Sequence, residues 1–195
     1  MTASGSERLK RTARPITAAY LQNAAAFYLE RYASSAEGLR RVLQRRVRKA
    51  QMLEAPVMEN VEQAIEVVVQ KFVTAGLLDD KSFAETKALS LHRRGASDRL
   101  TRQRLQAAGV AADTVDHAMA SLDDELGASA EKRELKAAAR LAQRRRLGPH
   151  RTKDREDHRH RDLAALARAG FALAIARKVI DAADPEALAA ALDEA

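Results

Sequence analysis

Arginine is the residue with the most chemistry to offer in this chain. Three groups of cations stand out: Arg40, Arg41, Arg45, Arg46, Arg48 and Lys49; then Arg93, Arg94, Arg99, Arg102 and Arg104; then Arg144, Arg145 and Arg146, followed by Arg151, Lys153 and Arg155. A guanidinium is planar, permanently charged and able to donate to two oxygens of one phosphate or carboxylate. Several of them on one side of a helix make a surface for oxyanions, whether nucleic acid or an acidic protein. The plainer account is a solvated helix face, and it fits the third group best because acids are interleaved there. Base stacking is poorly supplied, with three tyrosines, four phenylalanines and no tryptophan. Contact with DNA is therefore expected to be weak, sequence-nonspecific and directed at the backbone.

Other chemistry is thinner. His150, His158 and His160, with Asp154 and Asp157, form the one histidine-rich stretch. His-x-His among arginines has like-charged neighbours and no evident second shell, so solvated histidines are the reading and no metal or cofactor is expected. His92 and His117 are isolated and read as structural or surface residues. Asp79-Asp80 and Asp123-Asp124 are sequence neighbours whose side chains diverge on a helix, which suits capping better than acid–base catalysis. There is no Gly-x-x-x-x-Gly-Lys, Gly-x-Gly-x-x-Gly, His-Glu-x-x-His or Gly-x-Ser-x-Gly. The expectation is a binding protein and not an enzyme.

Composition sets the frame that must position these residues. Of 195 residues 46% are apolar, mostly alanine and leucine, and only eight are glycine and four proline. Such a chain favours helices over strands. Cysteine is absent, which removes disulfides, thiolate zinc sites and cysteine nucleophiles. With no secretory h-region and no long apolar run, no membrane association is expected and the cytoplasm is the expected compartment. Residues 181–195 carry −5, leaving +12 on residues 1–180 against the net +7, a balance that favours polyanionic partners.

Periodicity and capping signals predict helices from Ile16-Thr17 to Tyr32, with Leu21, Ala24, Ala25, Tyr28 and Tyr32 inward, and from a Ser34/Glu37 capping box through Leu39, Val42, Leu43 and Val47. A third runs from Val57 to Thr74, with Gly76 past its end. Gly76 to Asp80 reads as a hinge. Further helices carry Phe83, Lys87 and Leu91; Leu100 and Leu105 behind a Ser97 or Asp98 cap; and Val115, Met119 and Leu122 behind Asp113. Ser129 to Leu147, with Leu135, Ala138, Ala142 and Arg145, reads as a half-buried and strongly charged helix, stopped by Gly148-Pro149. Residues 149–160 lack any apolar member, so they read as a solvated loop or a charged entry to a helix over Asp162 to Ala169. Ile175, Val179 and Ile180 mark the next helix. Asp184 and Pro185 start a last one, in an alanine-rich acidic tail.

The segments repeat. Leu105-x-x-x-Gly109-Val110, followed by Val115 and Ala118, matches Leu166-x-x-x-Gly170-Phe171, followed by Ala176 and Val179. The first helices of three units align on Tyr28, Phe83 and Leu135, at intervals of 55 and 52 residues. The fold class expected is all-α: an elongated tandem array of three-helix repeats, in three units. The boundaries are a basic N-terminus over 1–15, repeats over 16–78, 79–126 and 127–182, and an acidic tail over 183–195. Such a body should have a long face and few concavities.

With these residues in view, the chain resembles the RecX family, regulators of the RecA recombinase. Arg31-Tyr32-Ala33-Ser34-Ser35 leading to Leu39 and Leu43 is similar to the family's first repeat. Gly76-Leu77-Leu78-Asp79-Asp80-x-x-Phe83-Ala84 is similar to its inter-repeat junction. Leu105-x-x-x-Gly109-Val110 and Ala169-Gly170-Phe171 resemble the second and third repeats. Residues 48–60 are longer than usual, Gly95-Ala96-Ser97 stands for a more glycine-rich turn, and Arg168-Ala169-Gly170 for a paired arginine before the glycine. The resemblance spans about residues 20–182. It implies a protein that docks in the helical groove of the RecA–DNA filament and restrains its ATPase and strand exchange, in recombination, DNA repair and the SOS response; a monomer is expected. Two other readings stay open: a direct DNA-binding protein, sequence-nonspecific or of helix-turn-helix type, and a metal enzyme at the histidine stretch.

Overall fold

Strong helix formers with sparse glycine punctuation give the expected result: among the described residues, 14–194 of the computed structural model, regular structure is helical throughout, in ten α-helices and one 3-10 turn. The chain divides into two compact units, the first ending at Asp79 and the second beginning at Asp80.

The first unit holds α1 (Ala18–Leu29), α2 (Ala36–Met52) and α3 (Val61–Thr74). Thr17 starts α1, its hydroxyl accepting from the Tyr20 amide at 3.2 Å. The cap of α2 is Ser35, one residue later than expected; its hydroxyl accepts from the Gly38 amide at 3.0 Å, while the Ser34 hydroxyl donates to the Ser35 carbonyl. Glu37 is thereby freed from a capping box and turns to Arg40 and Arg41. Helix α3 begins at Val61 rather than Val57, because the strand-like stretch before it bonds elsewhere. The Ile16 amide donates to the Pro56 carbonyl at 2.9 Å and the Met58 amide to the Ile16 carbonyl at 3.2 Å. Leu21, Ala25, Leu39, Leu43 and Ile65 are wholly buried between the three helices. Tyr32 does not join them: α1 stops at Leu29, and its exposed ring rests beside Tyr28 at 5.2 Å. Beyond α3, Gly76 takes φ +69°, and the amides of Leu77 and Leu78 return to the Phe72 carbonyl.

The second unit holds α4 (Asp80–Arg93), α5 (Asp98–Ala107), α6 (Ala112–Leu126), α7 (Ala130–Arg145), a 3-10 turn (Gly148–His150), α8 (Arg155–Arg168), α9 (Leu173–Ile180) and α10 (Pro185–Glu194). The repeat is visible in its cores. Leu105 on α5 and Leu166 on α8 are both wholly buried, each four residues before a glycine with positive φ, and Val110 and Phe171 follow into the interior. Leu105 joins Ala84, Ala88, Val115 and Met119 in one core; Leu166 joins Leu135, Leu141, Ile175 and Val179 in the next.

Four local expectations need correction. Asp113 does not cap α6, which starts at Ala112 behind Ala111 with no side-chain cap; the Asp113 carboxylate accepts from the adjacent Thr114 amide. Leu100 is only half-buried, outside the core that holds Leu105. Helix α7, expected to be half-buried, buries Ala137, Ala138, Ala139, Leu141 and Ala142, most of its circumference, and Arg145 is exposed at its end. Helix α8 begins at Arg155, seven residues before Asp162, so much of 149–160 is a charged helix entry. Polar bonds hold that entry. Arg151 grips Asp162 with two bonds of 2.6 and 2.8 Å, the Gly148 amide donates to Asp162 at 2.9 Å, and Arg155 donates to the carbonyls of Ile180, Ala182 and Ala183 at the end of α9. Asp184 caps α10, accepting from the Ala187 amide at 2.7 Å, and Leu188 is buried against the α7–α9 core.

Candidate functional site: an arginine-lined cleft

Two helix ends and a buried charge weld the second repeat to the third. Helix α4 stops at Gly95 (φ +72°), where a Cβ would sit 2.9 Å from the Ala137 carbonyl oxygen and 3.0 Å from the Leu141 nitrogen. Only glycine lets these backbones meet. Two residues on, the buried Ser97 hydroxyl accepts from the Leu100 amide at 3.2 Å, capping α5, and donates to the Ala169 carbonyl at 2.7 Å at the end of α8. Below them Arg133, only 2% exposed, donates to Asp123 at 2.6 Å and to Asp98. Burial works against its charge, but the two carboxylates more than offset that and raise its pKa. Glu134 accepts from the Asp98 amide, and burial, followed by the Asp98 charge, pushes its carboxyl up to about 7. Burial likewise pushes His92 down to about 4. It is a neutral core histidine.

Above this weld opens a cleft of about 540 Å³. Leu91, Ala96, Leu100, Leu141, Ala165 and Ala169 form its apolar part, and Arg94, Arg104, Arg144, Arg145 and Arg168 surround it. All five arginines are exposed. They come from the C-terminal ends of α4, α5, α7 and α8, where cations also favour the helix dipoles. Arg144 donates to the Arg94 carbonyl, fixing α7 to the end of α4. Among the described residues no carboxylate forms an ion pair with any of the five.

The sequence-predicted cations thus fall into distinct settings. Arg94, Arg104, Arg144 and Arg145 from two separate groups meet in one cleft, joined by Arg168, which charge clustering missed because it stands alone between Ala167 and Ala169. Arg93, Arg99 and Arg146 are exposed but do not line it. Arg102 pairs with Asp116. Arg151 and Arg155 are occupied by the fold, as described above. On α2, Arg40 is held between Glu37 and Glu66, whose hydrogen bonds raise its pKa, and Arg41 pairs with Glu37. The far end of α2 differs: among the described residues Arg45, Arg46, Arg48 and Lys49 form no ion pair, and all but the half-buried Arg46 are exposed. Arg133 escaped notice because Glu131-Lys132-Arg133-Glu134 looks like a solvated run. Its signal was its place four residues before Ala137 and eight before Leu141, on a buried stripe.

Among the described residues no three His, Asp, Glu or Cys side chains gather as metal ligands. His158 Nδ1 instead lies 2.9 Å from the Asp154 carbonyl oxygen. No helix among them is long and apolar enough to cross a membrane.

No family model matches the chain. Regulatory protein RecX of Myxococcus xanthus strain DK1622 is 42% identical over 177 residues, 90% of this chain and 91% of that protein. Regulatory protein RecX of Agrobacterium fabrum is 34% identical over 111 residues, 56% of this chain and 55% of its own length. A crystal structure of regulatory protein RecX superposes with a TM-score of 0.58 at 17% identity, covering 84% of this chain and 71% of that one. That of RecX from Lactobacillus salivarius gives 0.57 at 16%, covering 91% and 97%.

Proposed function

The chain belongs to the RecX family of regulatory proteins, and we propose that it acts without catalysis on the RecA recombinase, binding the RecA–DNA filament and restraining its ATPase and strand exchange. It does so as a cytoplasmic monomer that modulates recombination and DNA repair. One observation supports the contact surface: α2 ends in four cations with no carboxylate partner among the described residues, although its first half is neutralised by Glu37 and Glu66. Unneutralised guanidiniums on an exposed face attract oxyanions and release counterions from a DNA backbone, with no preference for sequence. The second unit carries exposed cations of its own in Arg93, Arg99 and Arg146.

The test is strand exchange by purified RecA with the chain at or below one copy per recombinase subunit. Inhibition is the expected result, and none would refute the proposal. Charge reversal at Arg45, Arg48 and Lys49 should weaken filament binding by roughly tenfold or more and flatten its salt dependence. Reversal at Arg40 is a poorer probe because it also breaks the α2–α3 clamp. A footprint on one duplex sequence without recombinase would replace this reading with direct DNA recognition.

A further inference from the structure

We propose that the cleft between the second and third repeats is a receptor site for a compact polyphosphate, a nucleoside triphosphate or inorganic triphosphate, held by Arg94, Arg104, Arg144, Arg145 and Arg168. This goes beyond the filament reading and does not depend on it.

Charge is the first ground. Five guanidiniums ring one cleft, and among the described residues none has a carboxylate partner, whereas Arg40, Arg102, Arg133, Arg151 and Arg159 all do. Like charges drawn together without counter-ions repel, and a multivalent anion relieves all of the repulsion at once. Size is the second. At about 540 Å³ the cleft lies in the range of small-molecule sites, roughly 300–1,000 Å³, and a concavity of that size cannot admit a duplex. A single strand entering it brings one negative charge per nucleotide, too few to match five cations, and no aromatic side chain lines the cleft to stack a base. A triphosphate concentrates three to four charges in one short chain. Preorganisation is the third: Gly95, the Ser97–Ala169 bond and the Arg144–Arg94 bond fix the helix ends that carry the arginines. The apolar wall of Leu91, Leu100 and Leu141 offers a nucleoside a surface that an inorganic chain does not use.

Calorimetric titration of the full chain with ATP, with tripolyphosphate and with a thymidine oligonucleotide tests this. ATP and tripolyphosphate should each bind at one per chain. The exposed pair Arg104→Gln/Arg168→Gln should weaken both about a hundredfold, roughly tenfold per guanidinium lost, with the helical spectrum intact. Arg45→Gln/Arg48→Gln on α2 should change neither. Tighter binding of ATP than of tripolyphosphate identifies the nucleotide as the source, and the reverse identifies the inorganic chain. Three results would overturn the proposal: no saturable binding of either; equal weakening by the α2 substitutions; or an oligonucleotide that binds more tightly than both and is lost in the same cleft variant. Strand-exchange inhibition, read on the same variants, separates failure of this site from failure of the filament reading.

Discussion

Replacing Arg133 with methionine should destabilise the second unit by about 3 kcal/mol. The side chain is 2% exposed and links the first turn of α5, through Asp98, to the last turns of α6, through Asp123. Methionine keeps most of the aliphatic length, so packing is largely preserved and the change isolates the charge. Removing one partner of a buried ion pair costs about 3–5 kcal/mol, because the other charge is stranded. Here the stranded groups are Asp98 and Asp123, whose side chains are 27% and 35% exposed and can partly rehydrate, which places the loss at the lower end. For a unit of this size that is a fall of about 12 °C in melting temperature. Amide hydrogen exchange in α5 and α7 reads it locally, with protection falling about a hundredfold. The surface pair Arg102–Asp116 supplies the control, and Arg102→Met should cost no more than ~0.5 kcal/mol. A loss below ~1 kcal/mol in Arg133→Met would show that the triad contributes nothing beyond packing.

Stability against pH should carry two opposed slopes. Glu134, raised to about 7 by burial and then by Asp98, keeps its proton in the folded chain where the unfolded chain has lost it, so stability falls as pH rises from about 4.5 to 7. His92, lowered to about 4 by burial and by Arg140, Arg133 and Lys136 despite Asp98, refuses a proton that the unfolded chain takes, so stability is lost as pH drops from about 6.5 to 4. Urea titrations of Glu134→Gln should leave the histidine slope alone, rising to pH 6.5 and flat beyond; a continued fall toward pH 7 would contradict this assignment. Gly95→Ala combines left-handed strain with backbone overlap and should cost about 2–4 kcal/mol. Gly76→Ala has the same backbone sign but open space around it and should cost about 1 kcal/mol; equal losses in thermal denaturation would refute the close-approach argument.

Much of the fold could be read from the chain because its signals are local. Leucine and valine spacing placed the buried stripes of α2 and α3, Ser97 and Asp184 announced their helices by capping chemistry, and the Leu105/Gly109 and Leu166/Gly170 pairs displayed the repeat. Failures occurred where tertiary bonds replace local ones. Arg155 to Arg161 form a helix without apolar periodicity because α9 carbonyls and Asp181 receive their arginines. The segment before Val61 resists the helix because Ile16 bonds to the Pro56 carbonyl and takes the Met58 amide. The cleft was illegible for the same reason. Sequence spacing cannot show that arginines 74 residues apart, Arg94 and Arg168, share one opening once α7 packs across the glycine turn.

The doubled use of the Ser97 hydroxyl has a practical consequence for dissecting the chain. Because one oxygen both opens α5 and holds the end of α8, a fragment that stops after α6 would keep a helix start whose tether has vanished, along with Asp98 and Asp123 facing no cation. A cut at Asp79 severs none of these bonds. Truncation work should therefore treat the last two repeats as one inseparable piece.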